Sequence, residues 1–215
     1  FHYGGPEELA APAFEAAAAL HFPVRCVTET FDLKALGPGA RALDVGCSVG
    51  RSTFELARRC GEVIGIDNSQ RFIEAARELK EQGELDYFHT HQGQIRIAAV
   101  ASVPPEIDRS RAQFEVGDAC HLREDLGRFD AVLGANLIDR VPEPRAFLRR
   151  AADLVKPGGQ LVLTSPYTWL EAYTPPENWV GGTEAAGETT EVLETELGEA
   201  FELRETRDLP FIIRE

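Results

Sequence analysis

The stretch Ala42-Leu43-Asp44-Val45-Gly46-Cys47-Ser48-Val49-Gly50 decides the fold. Its first half is a short apolar run that ends at a glycine, the signature of a buried strand. From about Val49 to Cys60 the pattern turns helical, with Phe54, Ala57 and Cys60 on one face. A strand that passes through a glycine turn directly into a helix opens a βαβ unit. Gly46 lets the backbone turn sharply and approach a ligand with no side chain in the way, and Gly50 repeats this where the helix begins and N–H groups lack partners. The spacing is D-x-G-x-x-x-G. A dinucleotide loop wants G-x-G-x-x-G, and Ser48 breaks that pattern.

Downstream, the same alternation repeats. Val63–Ile66 reads as a second strand, and Ser69 caps a helix with the stripe Phe72, Ile73, Ala76 and Leu79. Gln113–Val116 and Phe129–Gly134 are the third and fourth strands. Pro144 suits the first turn of a helix whose core face is Phe147, Leu148, Ala151 and Leu154. Lys156-Pro157-Gly158-Gly159 ends that helix before a fifth strand, Gln160–Thr164. An acidic helix over Glu191–Glu199 and a sixth strand over Phe201–Thr206 complete the pattern. The expectation is an α/β, Rossmann-like three-layer sandwich around a mostly parallel sheet. Pro6–Leu20 adds an alanine-rich N-terminal helix with Pro12 as a kink. Tyr87–Pro105 breaks the alternation as an inserted hairpin or loop, and Tyr167–Gly182, rich in Trp, Tyr, Pro and Gly, reads as an aromatic lid. One domain is expected over 1–215: an N-terminal cap over 1–40, a core over 41–166, and a lid with the C-terminal part over 167–215.

Composition excludes several partners. The chain has 215 residues, 43% hydrophobic and 27% charged, with no apolar run long enough to span a bilayer. Its 22 basic residues are outnumbered by 36 acidic ones, for a net charge of −14, so no basic footprint for a nucleic acid forms. The acidic stretch from Glu184 to Glu205 reads as a solvated surface. Cys26, Cys47, Cys60 and Cys120 lack zinc-site spacing and are expected as free thiols in a reducing cytoplasm. His89 and His91 form an H-x-H pair, but no third ligand lies nearby, so a solvent-facing hairpin is expected. With no methionine and Phe1 at its start, the sequence is expected to be an excised piece of a longer protein.

Acidic and amide side chains recur just past successive strands, where open α/β sheets bind ligands. Asp44 stands beside the glycine loop. Asp67 ends the second strand and can accept hydrogen bonds from both hydroxyls of an adenosine ribose. Asp118, beside Ala119, can accept one from an adenine amino group, and Asn136 follows the fourth strand. Each alone has a plainer reading: Asp44 braces the loop, Asp67 caps a helix, Asp118 stabilises a turn. Together with Lys156-Pro157-Gly158-Gly159, they resemble the donor-binding half of class I S-adenosylmethionine-dependent methyltransferases.

Several segments also resemble the methyltransferase domain of ovothiol biosynthesis: Phe1-His2-Tyr3-Gly4, Phe22-Pro23-Val24-Arg25-Cys26, Gly65-Ile66-Asp67-Asn68-Ser69-Gln70-Arg71-Phe72, Ser165-Pro166-Tyr167-Thr168-Trp169-Leu170, Glu177-Asn178-Trp179-Val180-Gly181-Gly182 and Leu209-Pro210-Phe211-Ile212-Ile213-Arg214-Glu215. The resemblance covers nearly the whole chain. It implies N-methylation of the imidazole of 5-thiohistidine (4-mercaptohistidine), with S-adenosylhomocysteine as second product, and fusion to or cooperation with an iron-dependent sulfoxide synthase. The donor's methyl is already activated, so the reaction requires no metal, and positioning can supply about 7–11 kcal/mol. The resemblance carries over His2, Tyr3 and Tyr167 as orienting or proton-transferring residues. Arg25, Cys47 and Asn68 join Asp44, Gly46, Gly50, Asp67, Asp118, Ala119 and Asn136 around the donor. Arg140 and Arg214 bind a carboxylate, Trp169 and Trp179 wall the ring, and Glu177 and Asn178 meet the amino group. The tryptophans have a second reading, as packing of the lid onto the core. Two departures stand out: an acid at position 139 is not inherited from the family, and the sequence ends where relatives continue into a further strand. Another small-metabolite methyltransferase, an NAD-type oxidoreductase and a noncatalytic cofactor-binding module remain the alternatives.

Overall fold

A computed structural model describes His2, Tyr3 and residues 19–212. In chain order the elements are α1 (Phe22–Thr28), β1 (Arg41–Val45), α2 (Arg51–Ala57), β2 (Glu62–Asp67), α3 (Gln70–Gln82), β3 (Glu84–Gln92), β4 (Ile95–Ser102), β5 (Ala112–Val116), β6 (Phe129–Ala135), α4 (Pro144–Leu154), β7 (Val155–Thr164) and α5 (Thr189–Leu197). β1 is central and pairs in parallel with β2 and β6, while β5 flanks β2 and β7 flanks β6. The resulting order is β5-β2-β1-β6-β7. The chain winds outward from β1 to β5, then returns to the other side of β1. That reversal between β1 and β6 opens a crevice beyond the carboxyl ends of the strands, the expected ligand position in such sheets.

Alternation along each strand divides the core between the two faces. Ala42, Val63, Ala131 and Leu133 meet Val27 of α1, Phe54 and Leu56 of α2 and Ile73, Ala76 and Leu79 of α3. Leu43, Val45, Ile64 and Val132 meet Phe147, Leu148, Ala151 and Leu154 of α4 and Leu193 of α5. The expected three-layer sandwich is therefore present. Ser69 caps α3 by accepting the Phe72 N–H, and Pro144 occupies the first turn of α4.

The structure revises four sequence expectations. α2 ends at Ala57, because Arg58 and Arg59 turn back in a tighter i→i+3 pattern onto Glu55 and Leu56. β7 begins at Val155, and its register jumps from Phe129↔Val155 to Ala131↔Gln160. Lys156 to Gly159 thus bulge out of a strand rather than precede it, with Lys156 Nζ 2.9 Å from Asp130 Oδ2. The inserted segment takes the first of its two expected forms, an antiparallel hairpin of β3 and β4 outside the main sheet, which is not a revision. Phe201–Thr206 forms no strand. It pairs with no strand, and Leu203 stays exposed. The acidic helix runs over 189–197 because Ala200 and Phe201 fold back onto the Leu197 carbonyl. The alanine-rich helix expected over Pro6–Leu20 lies almost wholly outside the described residues, as does Arg214.

Candidate active site

The glycine loop is built from three left-handed residues, Gly46 (φ 75°), Ser48 (φ 51°) and Gly50 (φ 81°). A Cβ on Gly50 would sit 2.6 Å from the Phe114 ring, and one on Gly46 would sit 3.0 Å from Leu137 Cδ1. Both positions therefore demand glycine for conformation and for space. Ser48 tolerates the same conformation at a cost, which is characteristic of backbone held by its function. Hydrogen bonds tie the loop down: Gly46 and Cys47 N–H groups donate to the Ile66 carbonyl, and the Ser48 N–H donates to Asp67 Oδ2 at 2.9 Å.

Asp44 lies beneath the loop, 1% exposed. Its Oδ2 accepts hydrogen bonds from Thr53 Oγ1 (2.6 Å) and Ser52 Oγ (2.9 Å), while Oδ1 has no partner. Burial pushes its carboxyl up to about 6 against the two hydroxyls. Cys47, above it, is a buried thiol whose pKa is raised well above the usual value by burial and by the charges of Asp44 and Asp67, so it is no nucleophile. Asp67 accepts the Ser69 N–H on Oδ1 (2.9 Å) as well as Ser48 on Oδ2, leaving a further lone pair on each oxygen. Asn68 is exposed beside it. Asp118 caps a 3₁₀ turn that carries buried Ala119, accepting the Cys120 N–H at 2.8 Å, and pairs with His121 Nδ1 at 2.8 Å. His121 holds its carboxyl below the ordinary value. Asn136 (φ 49°) is locked to Thr164, which receives its N–H on the carbonyl and donates to its Oδ1.

The N-terminal residues reach this loop. Tyr3 Oη donates to the Val49 carbonyl at 3.4 Å, and the Arg51 guanidinium lies 5.4 Å from the Tyr3 ring. Burial lowers the His2 imidazole to about 4, so it is neutral at physiological pH and a weak base. Its Nδ1 is buried without a hydrogen-bond partner. Arg51 Nη1 also makes no hydrogen bond, although it lies 3.6 Å from Glu55 Oε2 as an ion pair. Arg25 turns elsewhere: its Nε meets Glu29 Oε1 at 2.7 Å and its Nη1 donates to the Pro210 carbonyl at 2.9 Å. With Phe22 packed at a tilt on Phe211 (4.9 Å), it fastens the C-terminal segment to α1.

Past β7, the lid encloses a cleft of about 460 Å³ lined by Tyr167, Thr168, Trp169, Trp179 and Thr189, among others. Trp169 and Trp179 stack at 6.2 Å, and both indole N–H groups are committed, to Thr189 Oγ1 and to the Thr174 carbonyl. The rings pack the lid onto the core and also line its cleft. Asn178 Nδ2 donates to the Pro142 carbonyl, while Glu177 is exposed. Arg140 is engaged by Asp139 Oδ2 (2.6 Å), by Thr168 and by the Tyr173 ring. Sequence reasoning missed Arg145. From α4 it donates to the Asn178 and Trp179 carbonyls and pairs with Glu196 at 2.8 Å, clamping the lid to α5. Nothing local distinguishes this arginine from its exposed neighbours on α4. Among the described residues, no group of three metal-ligating side chains is found, and no helix is long and apolar enough to cross a membrane.

Residues 43–163, more than half of the chain, match the family model described as a methyltransferase domain. Similar curated proteins include a ubiquinone biosynthesis O-methyltransferase of Xanthomonas campestris pv. campestris (strain B100), 32% identical over 60% of this chain and 44% of that protein. A protein of the same name from Coxiella burnetii (strain Dugway 5J108-111) is 28% identical over 63% and 47%. The chain thus spans less than half the length of these relatives. Among solved structures, a putative methyltransferase from Bacillus halodurans C-125 superimposes with a TM-score of 0.52 at 23% identity, covering 81% of this chain and 70% of that one. The O-methyltransferase domain of StiE gives 0.56 at 16%, covering 86% and 52%. Both share the fold. The methyl donor, S-adenosylmethionine, fits the residues present: the unpartnered Asp44 oxygen suits its ammonium, the spare lone pairs of Asp67 suit its ribose diol, and the glycine loop admits its chain at close range. The chain belongs to the class I S-adenosylmethionine-dependent methyltransferases.

Proposed function

We propose that this domain transfers a methyl group from S-adenosylmethionine to an imidazole nitrogen of 5-thiohistidine, giving ovothiol. One observation supports the reading: three of the segments that carry the ovothiol resemblance each meet the glycine loop, the lid or α1. Tyr3 meets the glycine loop, Tyr167 opens the lid, and Pro210 with Phe211 docks on α1, while the charge of Asp208 is felt at the Tyr167 hydroxyl. When bound, the donor supplies a sulfonium methyl that needs only in-line attack. Asp44, Asp67 and the loop amides hold that donor. The lid residues Tyr167, Trp169 and Trp179 orient the acceptor and exclude water. His2, being neutral, contributes a hydrogen bond rather than strong base catalysis. The four cysteines are free thiols, which suits a reducing cytoplasm. An iron-dependent sulfoxide synthase, on the same chain or separate, would supply the acceptor.

A second reading is favoured by the names of the curated relatives: O-methylation of a phenolic acceptor. One assay separates the two. The enzyme is given the donor with 5-thiohistidine or with a catechol, products are weighed by mass spectrometry, and the methyl is located by NMR. A single N-methyl on the thiohistidine ring is expected. Methylation of the catechol alone, or at the thiohistidine sulfur, would overturn the proposal.

A further inference from the structure

Asp139 is 0% exposed, yet it serves no core. It sits in the 3₁₀ turn Ile138–Arg140, immediately beyond β6 at the switch-point crevice. Two residues earlier, Leu137 packs against Gly46 of the donor loop. On its other side lies the start of the lid, through the Thr168 hydroxyl and the Tyr167 side chain, whose hydroxyl feels its charge. Asp139 therefore stands between the donor loop and the acceptor cleft.

Its two oxygens differ. Oδ2 takes Arg140 Nη1 at 2.6 Å and Thr168 Oγ1 at 3.4 Å. Oδ1 is buried and has no partner. A buried carboxylate oxygen left without a donor is costly, and such costs persist where function uses the group. Arg140 also donates to the Thr168 carbonyl and hydroxyl at 2.9 and 2.8 Å, so the turn and the first lid residues form one unit. Thr168, held by Asp139 and Arg140, lines the cleft, so Asp139 lies one residue behind the cleft wall. Tyr167, left-handed at φ 53°, is a strained residue of the same wall.

We propose that Asp139 is an acceptor-recognising carboxylate whose Oδ1 takes an N–H of a nitrogenous acceptor. This rests on the reading of the domain as a methyltransferase for a thiohistidine. With an imidazole acceptor, the N–H held by Asp139 fixes the tautomer, and the lone pair of the other ring nitrogen faces the methyl. The nitrogen–carbon bond forms as carbon–sulfur breaks, the sulfonium becomes a thioether, and the ring proton passes to Asp139 and then to solvent.

The test uses wild-type protein and Asp139→Asn, with S-adenosylhomocysteine and ¹⁵N-ring-labelled 5-thiohistidine, followed by calorimetry and proton NMR. The wild type should show a downfield ring N–H resonance in the ternary complex. The Asp139→Asn protein should lose it and bind the acceptor about tenfold or more weakly, with S-adenosylhomocysteine affinity unchanged. A merely structural role would leave that resonance in place. Equal acceptor binding by both proteins, or a wild-type complex without the shifted proton, overturns the role of Asp139 and leaves the thiohistidine reading standing. A wild type that binds a catechol and no imidazole overturns both. If Asp139→Asn fails to fold, the wild-type spectrum decides.

Discussion

The glycine loop and the lid of this molecule lie side by side but are built differently. Around the glycine loop, parallel strands fix every Cα, and conformation, space and hydrogen bonding each restrict the residue. Around the lid, backbone without regular structure is pinned by long side chains reaching from elsewhere: Arg140 to Thr168, Arg145 to Asn178 and Trp179, Trp169 to Thr189. A shared ligand needs a constant cradle, whereas an acceptor site can be rebuilt by exchanging side chains on a loop.

The difference can be broken most severely at Gly50. Gly50→Val places a β-branched side chain at φ 81° against the Phe114 ring, and chemical denaturation should report a loss of about 3–5 kcal/mol. S-adenosylhomocysteine binding should vanish with it. Trp169→Ala should cost about 3 kcal/mol by loss of its stack and burial. Calorimetry should find its donor-product affinity little changed, because its indole N–H and its stacking partner belong to the lid side. Comparable losses of affinity in both variants would show that the two regions are not separable.

A third experiment sharpens the electrostatics. Burial holds Asp44 protonated below about 6 in the folded chain, against 3.8 ordinarily. Because the folded carboxyl binds its proton more tightly than the unfolded one, this group favours folding at low pH, and that contribution is lost as pH rises from about 4 through 6. A ligand ammonium at Oδ1 requires the ionised form. S-adenosylhomocysteine affinity should therefore fall up to about tenfold per pH unit below 6, with proton release on binding, and Asp44→Asn should flatten the profile. Smallest of all, Ser48→Gly relieves a left-handed serine and should stay within about 1 kcal/mol of the parent in thermal unfolding.

Legibility in the sequence followed the same division. Asp44, Gly46, Gly50 and Asp67 declare themselves because a strand, a turn and an acid at a strand end are local patterns with local causes. Ser48 was visible as the missing glycine, though its left-handed backbone was not. Arg25 was legible as a cation able to bind a carboxylate, but not its engagement by Glu29 one turn on and by a carbonyl 185 residues away. The turn that Asp118 holds was legible too, but not its pairing with His121. Phe201–Thr206 has strand composition but joins no ladder, because strand composition alone does not place a segment at a sheet edge. Arg145 and Asp139 gain their significance only from what folds against them.

The central claim is that the loop of Gly46 to Gly50, with Asp44 and Asp67, holds the donor. Isothermal titration with S-adenosylhomocysteine, on the wild type and on Asp67→Ala, tests it most directly. One site with micromolar affinity is expected, weakened about tenfold or more in the variant through loss of the ribose hydrogen bonds and of the brace on the Ser48 amide. No binding heat in the wild type, or undiminished affinity in Asp67→Ala, would contradict it.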